Sequence, residues 1–406
     1  MPSTDSLVST IDKHMPSDQL PVGALLSLAM TGLISIMTET LPAGLLPEIS
    51  AGLAITPSQG GQLVTAYALG SMLAVLPLTI LTQHWNRRTS LLTAVFGFLI
   101  FNIATALSTD YVFTLFARFM AGVAAGLSWS LIAGYARRLV KPELQGRAVA
   151  VAMFGTPLAL SFGVPVSTWL GHIVGWRQAF HGMSLFTVVL VIWILWKLPD
   201  FPGQVRAQHL GLWRVLCTPG VRPVLVVIFA WMLGHNILYT YIAPYVAQAG
   251  LVSQVDVVLL VFGAAALGGI WLIGRLIDRY LRITTLASLA VFSLALIVMG
   301  GWADVSPIVY AFTAVWGLTF GGAATLLVTA VADAAEEGAD VAVSLTVVVW
   351  NAAIAGGGFF GGVLLQQVGV NAFPWTALLL IIIGLVVVGT SNRYAFRSGP
   401  RVHVNH

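Results

Sequence analysis

Apolar residues in this chain run in long stretches separated by short polar breaks. Stretches of about 20 residues are long enough to cross a bilayer as helices. They do not alternate apolar with polar positions, as the shorter strands of a transmembrane barrel would. The pattern predicts an all-α membrane protein with spans near 22–45, 58–81, 90–108, 112–135, 146–170, 178–196, 223–246, 256–274, 284–302, 306–330, 342–366 and 373–392. The longest polar interruption after the N-terminus is 198–221, with Pro199, Pro202, Gly203, Arg206 and Arg214. The expected organisation is an N-terminal tail 1–21, a six-helix half 22–197, a linker 198–221, a second six-helix half 222–392 and a tail 393–406.

The halves repeat one another. Each has a basic turn between its second and third spans, at 82–90 and 274–282. Each has a glycine-rich fifth span, with Gly155, Gly163 and Gly171 in one and Gly356, Gly357, Gly358, Gly361 and Gly362 in the other. Parallel repeats of this kind mark transporters whose two halves rock about a central site.

Composition agrees with a lipid solvent. The 406 residues are 58% hydrophobic and 8% charged, with mean hydropathy +0.91; a soluble domain carries about 25% charge. The net charge of +4 is spread over many short loops, so it forms no nucleic-acid footprint. A single cysteine, Cys217, rules out an internal disulfide or a cysteine metal cluster. The polar first 20 residues, with Asp5, Asp12, Lys13 and Asp18, lack the apolar core of a signal peptide. The first span therefore reads as an uncleaved helix.

Lysine and arginine set the orientation. Arg87 and Arg88 follow the second span; Arg137, Arg138, Lys141 and Arg147 follow the fourth; Lys197, Arg206, Arg214 and Arg222 lie around the linker. Arg275, Arg279 and Arg282 follow the eighth, and Arg393, Arg397 and Arg401 the twelfth. The other loops offer only Arg177, and the acidic loop 333–340 counts little. Both termini are thus expected in the cytoplasm, with the chain crossing the cell's inner (plasma) membrane.

Two charges break the apolar pattern: Glu39 in the first span and Arg118 in the fourth. Ionisable groups at membrane depth mark proton relays, counter-ions or substrate contacts. Each lies about six residues from the same end of its span, roughly 9 Å deep at 1.5 Å per residue. Burial favours the neutral carboxyl and a nearby guanidinium favours the ionised one. The pair could therefore carry a proton, or it could be a static ion pair that fixes packing. Gly122 and Gly126, four residues apart after Arg118, suit close helix packing; Trp129, one turn on, faces either a cavity or lipid. Pro157 and Pro165, with Gly155 and Gly163, make the fifth span bendable, as a moving helix or a fixed kink.

In the seventh span His235, Asn236, Tyr239, Thr240 and Tyr241 form a polar centre, which in hydrocarbon needs partners or a wet cavity. Trp350 and Asn351 lie at similar depth in the eleventh. Candidate substrate contacts are His235, Asn236, Tyr239, Trp350, Asn351 and Trp129. No zinc-binding helix motif and no phosphate loop is present, so an ion gradient rather than ATP would drive any pumping. No cofactor or metal is expected.

Several segments resemble the major facilitator superfamily, and within it the twelve-span drug:proton antiporter branch, near the sugar-efflux and arabinose-efflux-permease-like group. The resemblance covers roughly 22–392. It rests on Thr38-Glu-Thr-Leu-Pro-Ala-Gly-Leu-Leu-Pro47, Arg118 through Gly122, Gly155 with Pro157, Gly163-Val-Pro165, Gly175-Trp-Arg-Gln-Ala-Phe180, and Gly234-His235 through Pro244. It implies a proton-coupled exporter working by alternating access, with Glu39 as proton carrier and Arg118 as its charge partner. The implied cargo ranges from drugs to sugar-like metabolites. Gating would fall to Arg87 and Arg88 in one half, to Gly274, Asp278 and Arg279 in the other, and to Gly163 and Pro165. The first gating loop departs from the family pattern, with Thr82-Gln-His-Trp-Asn-Arg-Arg88 in place of a glycine and an aspartate; Gly274-Arg-Leu-Ile-Asp-Arg279 is fuller. Ser167 stands where a glycine is common.

The candidate cavity adds no charge beyond Glu39 and Arg118. That favours a neutral or weakly charged cargo with hydrogen-bonding groups, such as a drug, nucleoside or sugar-like metabolite, over a sugar phosphate. The expected partners are this small molecule, protons and the lipid bilayer, with the protein a monomer. A passive facilitator or uptake carrier of the same fold, with a structural Glu39–Arg118 pair, is the alternative; a membrane-embedded enzyme or receptor is a third.

Overall fold

The computed structural model describes residues 19–203, 211–396 and 399. The tail residues Asp5, Asp12, Lys13 and Asp18, the linker's Arg206, and Arg397 and Arg401 lie outside the described residues. Among those described, eleven helices are long and apolar enough to span a membrane. One of them, Val255–Gly301, has 47 residues and would be about 70 Å long, more than twice the roughly 30 Å hydrocarbon core. Its helical backbone breaks at Tyr280, at φ −132° and ψ 30°. It therefore supplies the eighth and ninth spans, and the total is twelve.

The turn expected at 274–282 is present, narrowed to Tyr280. Gly274, Arg275, Asp278 and Arg279 continue the helix, and a single residue carries the bend. No proline falls in the segment to stop the helix. Three other spans are interrupted where the sequence pattern is smooth. The first, Val22–Gly44, hands over at Leu45 to a short helix, Leu46–Gly52. The seventh, Val221–Thr240, breaks at Tyr241 before Ile242–Val246. The tenth divides at Gly322 into Ser306–Gly321 and Ala323–Ala335. The fifth span bends as its prolines suggest, by a π-helical turn at Ala159–Gly163. Pro165 has no N–H for the ordinary ladder, and a wider turn accommodates its ring.

Large apolar side chains remain exposed around the bundle, among them Leu73, Ile100, Val112, Leu185, Ile192, Leu294 and Leu379. Water does not tolerate so wide an apolar surface, whereas lipid does. Inside, small residues let backbones meet. A Cβ on Gly122 would strike the Tyr67 carbonyl, joining the fourth span to the second; one on Gly269 would strike the Leu318 carbonyl, joining the eighth to the tenth.

The internal repeat extends to a pair of arginine clamps. Arg88, at the start of the third span, donates from Nη1 to the Leu198 carbonyl at the end of the sixth, 3.5 Å away. Arg282, just past the Tyr280 bend at the start of the ninth, donates to the Val388 and Gly389 carbonyls at the end of the twelfth, at 2.7 and 2.8 Å. Each guanidinium caps a helix C-terminus, where carbonyls lack helical partners and cations are favoured.

Candidate functional site: a buried charge centre facing an aromatic cage

Pro42 organises the charged site. A proline cannot donate to the carbonyl four residues earlier, so the Thr38 carbonyl is left without its helical partner. Arg118 fills the gap: its Nη2 donates to the Thr38 oxygen at 2.6 Å and reaches the Glu39 carbonyl at 3.5 Å. Asn102, from the third span, donates to the Thr38 hydroxyl at 3.0 Å. The guanidinium is fully buried; its carbon lies 4.9 Å from the Tyr67 ring centre and 5.9 Å from that of Phe180. Ring faces and a carbonyl dipole thus solvate a cation cut off from water. Its Nε and Nη1 have no partner.

The sequence brought Glu39 and Arg118 to equal depth, and the first and fourth spans do meet there. Only the static reading assumed a direct ion pair; instead Arg118 bonds the backbone at 38–39, and no Glu39–Arg118 ion pair occurs among the described residues. The carboxylate remains within electrostatic range of Arg118, Tyr67 and, across the molecule, Tyr239. It makes no hydrogen bond of its own, is not among the fully enclosed polar atoms, and retains 8% exposure. A buried base held by the backbone thus stands beside an acid that keeps access to the interior space.

The facing half presents an aromatic cage. His235 lies between Phe320, stacked at 3.6 Å between centroids and 9° between planes, and Tyr239, stacked at 5.2 Å and 27°. Phe262 and Trp316 close the sides. The Trp316 indole N–H donates to His235 Nδ1 at 3.1 Å. The Tyr239 hydroxyl is enclosed and unpartnered. Asn236 and Asn351 are buried and donate their amide nitrogens to their own helices, at Met232 and Val347. Trp350 packs with Val64, Ala68, Ile354 and Ala355 where the second and eleventh spans touch. Trp129, left open between cavity and lipid by the sequence, packs inward over Gly32 of the first span.

Trp316, Phe262 and Phe320 were missed by sequence reasoning. They look like ordinary core aromatics, and only folding brings the eighth and tenth spans around His235. Pro42 was a signal that could have been read, because a proline four residues beyond Thr38 announces a free carbonyl.

The gating candidates divide. Arg88 belongs to the clamp described above, and Arg87 donates its backbone N–H to the Phe201 carbonyl at 2.8 Å. Asp200, also missed, accepts from the Asn86 side chain at 2.9 Å and the Arg88 backbone N–H at 3.1 Å. It thereby caps the third span from beyond the sixth and supplies the carboxylate that the first loop lacks. Arg279 lies over the Tyr280 ring at 5.3 Å, beside the bend. Gly163 packs against Met37 of the first span, and Pro165 is buried just past the π turn.

The two halves meet at the end away from the basic loops. Gln62 donates to the Gly358 carbonyl at 3.3 Å and Thr65 to the Ala355 carbonyl at 3.1 Å, while Tyr241, within the second half, donates to the same Gly358 oxygen at 2.6 Å. On the other seam Ser161 donates to the Gly263 carbonyl at 2.8 Å. A longer Tyr241–Ser58 contact also crosses between the halves. The bundle is closed at that end.

Twelve helices in two repeated halves, sealed at one end around a buried charge and a polar aromatic cage, define a multi-pass membrane carrier. Residues 28–358 match the profile of the Major Facilitator Superfamily. The chain belongs to that family. It is 29% identical over 371 residues to the purine ribonucleoside efflux pump NepI of Escherichia coli O6:K15:H31 (strain 536 / UPEC), covering 90% of this chain and 93% of that protein. It is also 29% identical over 366 residues to the pump of the same name from Shigella sonnei (strain Ss046), covering 88% and 91%. Among solved structures, a bacterial homologue of the human lysosomal transporter Spinster, inward-facing and unoccupied, superimposes with a TM-score of 0.72 at 11% identity. That alignment covers 95% of this chain and 99% of the other.

Proposed function

We propose that this carrier exports a neutral purine nucleoside, or a molecule of that kind, in exchange for protons entering the cell. The observation that carries the reading is the Glu39 carboxylate: deep in a span, without a hydrogen bond, and still open to the interior. An acid so placed exchanges its proton with that space, and its charge state alters what the two halves experience as they close. Arg118, bonded to the backbone beside it, holds a positive charge near the carboxylate without neutralising it by direct contact. In the alternative, a passive facilitator or uptake carrier of the same fold, Glu39 and Arg118 would serve only to hold the first and fourth spans together. The name shared by the two bacterial pumps supports the cargo class, as does a polar, aromatic site whose only fixed charges are Glu39 and Arg118.

Basic loops on one side support a cytoplasmic position for both termini and the linker. The closed end would then face outward. Proteoliposomes with an imposed pH gradient test the reading. Labelled inosine or adenosine should accumulate against its gradient, and Glu39→Gln should abolish accumulation while nucleoside binding persists. Undiminished pH-driven accumulation by Glu39→Gln would refute Glu39 as the proton carrier.

A further inference from the structure

We propose that His235 reads one in-plane acceptor of the cargo, a ring nitrogen of a purine base, through an Nε2–H donor that Trp316 holds in place. This rests on the purine nucleoside reading above and assigns the base-recognising group within it.

The protonation of a histidine ring is usually ambiguous in a structure, but here the partner removes the ambiguity. An indole nitrogen is only ever a donor. Trp316 Nε1 lies 3.1 Å from His235 Nδ1, so Nδ1 must accept and carries no hydrogen. The neutral ring then bears its hydrogen on Nε2. A doubly protonated ring would turn two donors toward each other at that distance. His235 is therefore a fixed donor, and its part in the site is separate from the proton carried by Glu39.

The geometry also decides how a ligand meets the ring. Phe320 covers one face at 3.6 Å. Tyr239 stacks at 5.2 Å and makes no ring contact with Phe320, so it covers the opposite face. With both faces occupied, a base cannot stack on the imidazole and must approach its edge. At that edge Nε2 has no protein partner and is not among the fully enclosed polar atoms. Elsewhere on the seventh and eleventh spans the buried Asn236 and Asn351 commit their amide nitrogens to their own helices. One donor at an unpartnered ring edge suits a planar base that presents an acceptor in its own plane. A sugar, whose hydroxyls project out of plane in several directions, fits this edge less well. Trp316 is a positioning residue: it does not face the ligand, and it fixes which nitrogen does.

Deaza analogues, which replace one base nitrogen by C–H, test the assignment. Binding of adenosine and its 1-, 3- and 7-deaza forms is measured on the purified full-length carrier in nanodiscs at fixed pH. One of the three should bind about tenfold more weakly than adenosine, the effect of leaving a buried donor unpaired. His235→Ala should bring that analogue and adenosine within twofold of each other, and His235→Gln, which keeps an N–H near the same place, should restore part of the difference. Trp316→Phe should weaken adenosine and spare the discriminated analogue. Nitrogen-15 spectra of the histidine rings, with His235 assigned from the His235→Ala difference, should show the hydrogen on Nε2, and Trp316→Phe should move the ring towards a mixture of forms. Adenosine binding with all three analogues within twofold would overturn this assignment and leave the nucleoside reading standing. Failure of every nucleoside to bind would overturn the cargo class and this assignment together. A hydrogen found on Nδ1 would refute the tautomer directly.

Discussion

Gly358 is the position where one methyl-sized change should most clearly redirect the transport cycle. It lies at the seam between the second and eleventh spans, where its carbonyl accepts from Tyr241 and Gln62. A Cβ there would overlap the Thr65 hydroxyl and come within 3.0 Å of the Gly61 carbonyl and 3.3 Å of the Thr65 nitrogen. The backbone carbonyl cannot rotate aside, so Gly358→Val must push the spans apart. Overpacking of this kind costs about 1–3 kcal/mol, and loss of the Gln62 bond across the seam adds about 0.5–1.5 kcal/mol. These contacts exist only while this end is closed, so the cost falls on one conformation. A bias of about 2–4 kcal/mol shifts the closed-to-open ratio by roughly 30- to 1000-fold. Spin labels at the exposed residues Ala51 and Ser253, with Cys217 replaced by serine, would report the distance across that end. The Gly358→Val population should move to longer distances and cargo turnover should fall. Gly389→Val is the control, since nothing lies within 4 Å of that position. An unchanged distance distribution in Gly358→Val would refute the claim that this seam is the closed gate.

Other outcomes follow from the same geometry. Arg118→Lys should lose proton-driven accumulation, because a compact ammonium lacks the planar guanidinium that lies over the Tyr67 ring; accumulation at the wild-type rate would count against that role. Asp200→Ala should lower stability by about 1 kcal/mol, the usual effect of a lost helix cap, seen as a reduced melting temperature with cargo affinity unchanged. Cysteines at 109 and 253 should react with an impermeant reagent from outside the cell, and labelling only from the cytoplasmic side would reverse the orientation.

The spans were legible because lipid demands about 20 apolar residues per crossing, a signal that needs no partner. Glu39 and Arg118 were legible for the same reason, as charges against an apolar background. What Arg118 touches was not, because its acceptor is a backbone carbonyl released by Pro42, and backbone groups leave no mark in composition. The cage around His235 was half visible. The polar cluster of the seventh span is local in sequence, whereas Trp316 and Phe320 lie more than 80 residues further on and are indistinguishable from core packing until the chain folds. The turn expected at 274–282 was legible in position but not in form: the basic residues there continue the helix, and one non-helical residue, Tyr280, carries the bend.

The cap that Asp200 provides also sets an order of events during synthesis. The carboxylate that satisfies the Arg88 backbone N–H is made 112 residues later, after three more spans have emerged. At 5–20 residues per second that is a wait of roughly 6–22 s in which the third span sits in the bilayer without its cap. The first half therefore cannot finish folding at the end of its sixth helix. It needs the few residues beyond, through Asp200 and the Phe201 carbonyl that receives Arg87. Anyone dividing this chain to express its halves separately should cut after residue 203 rather than after Lys197. A nascent chain stalled between those points would hold six inserted helices and an unfinished fold.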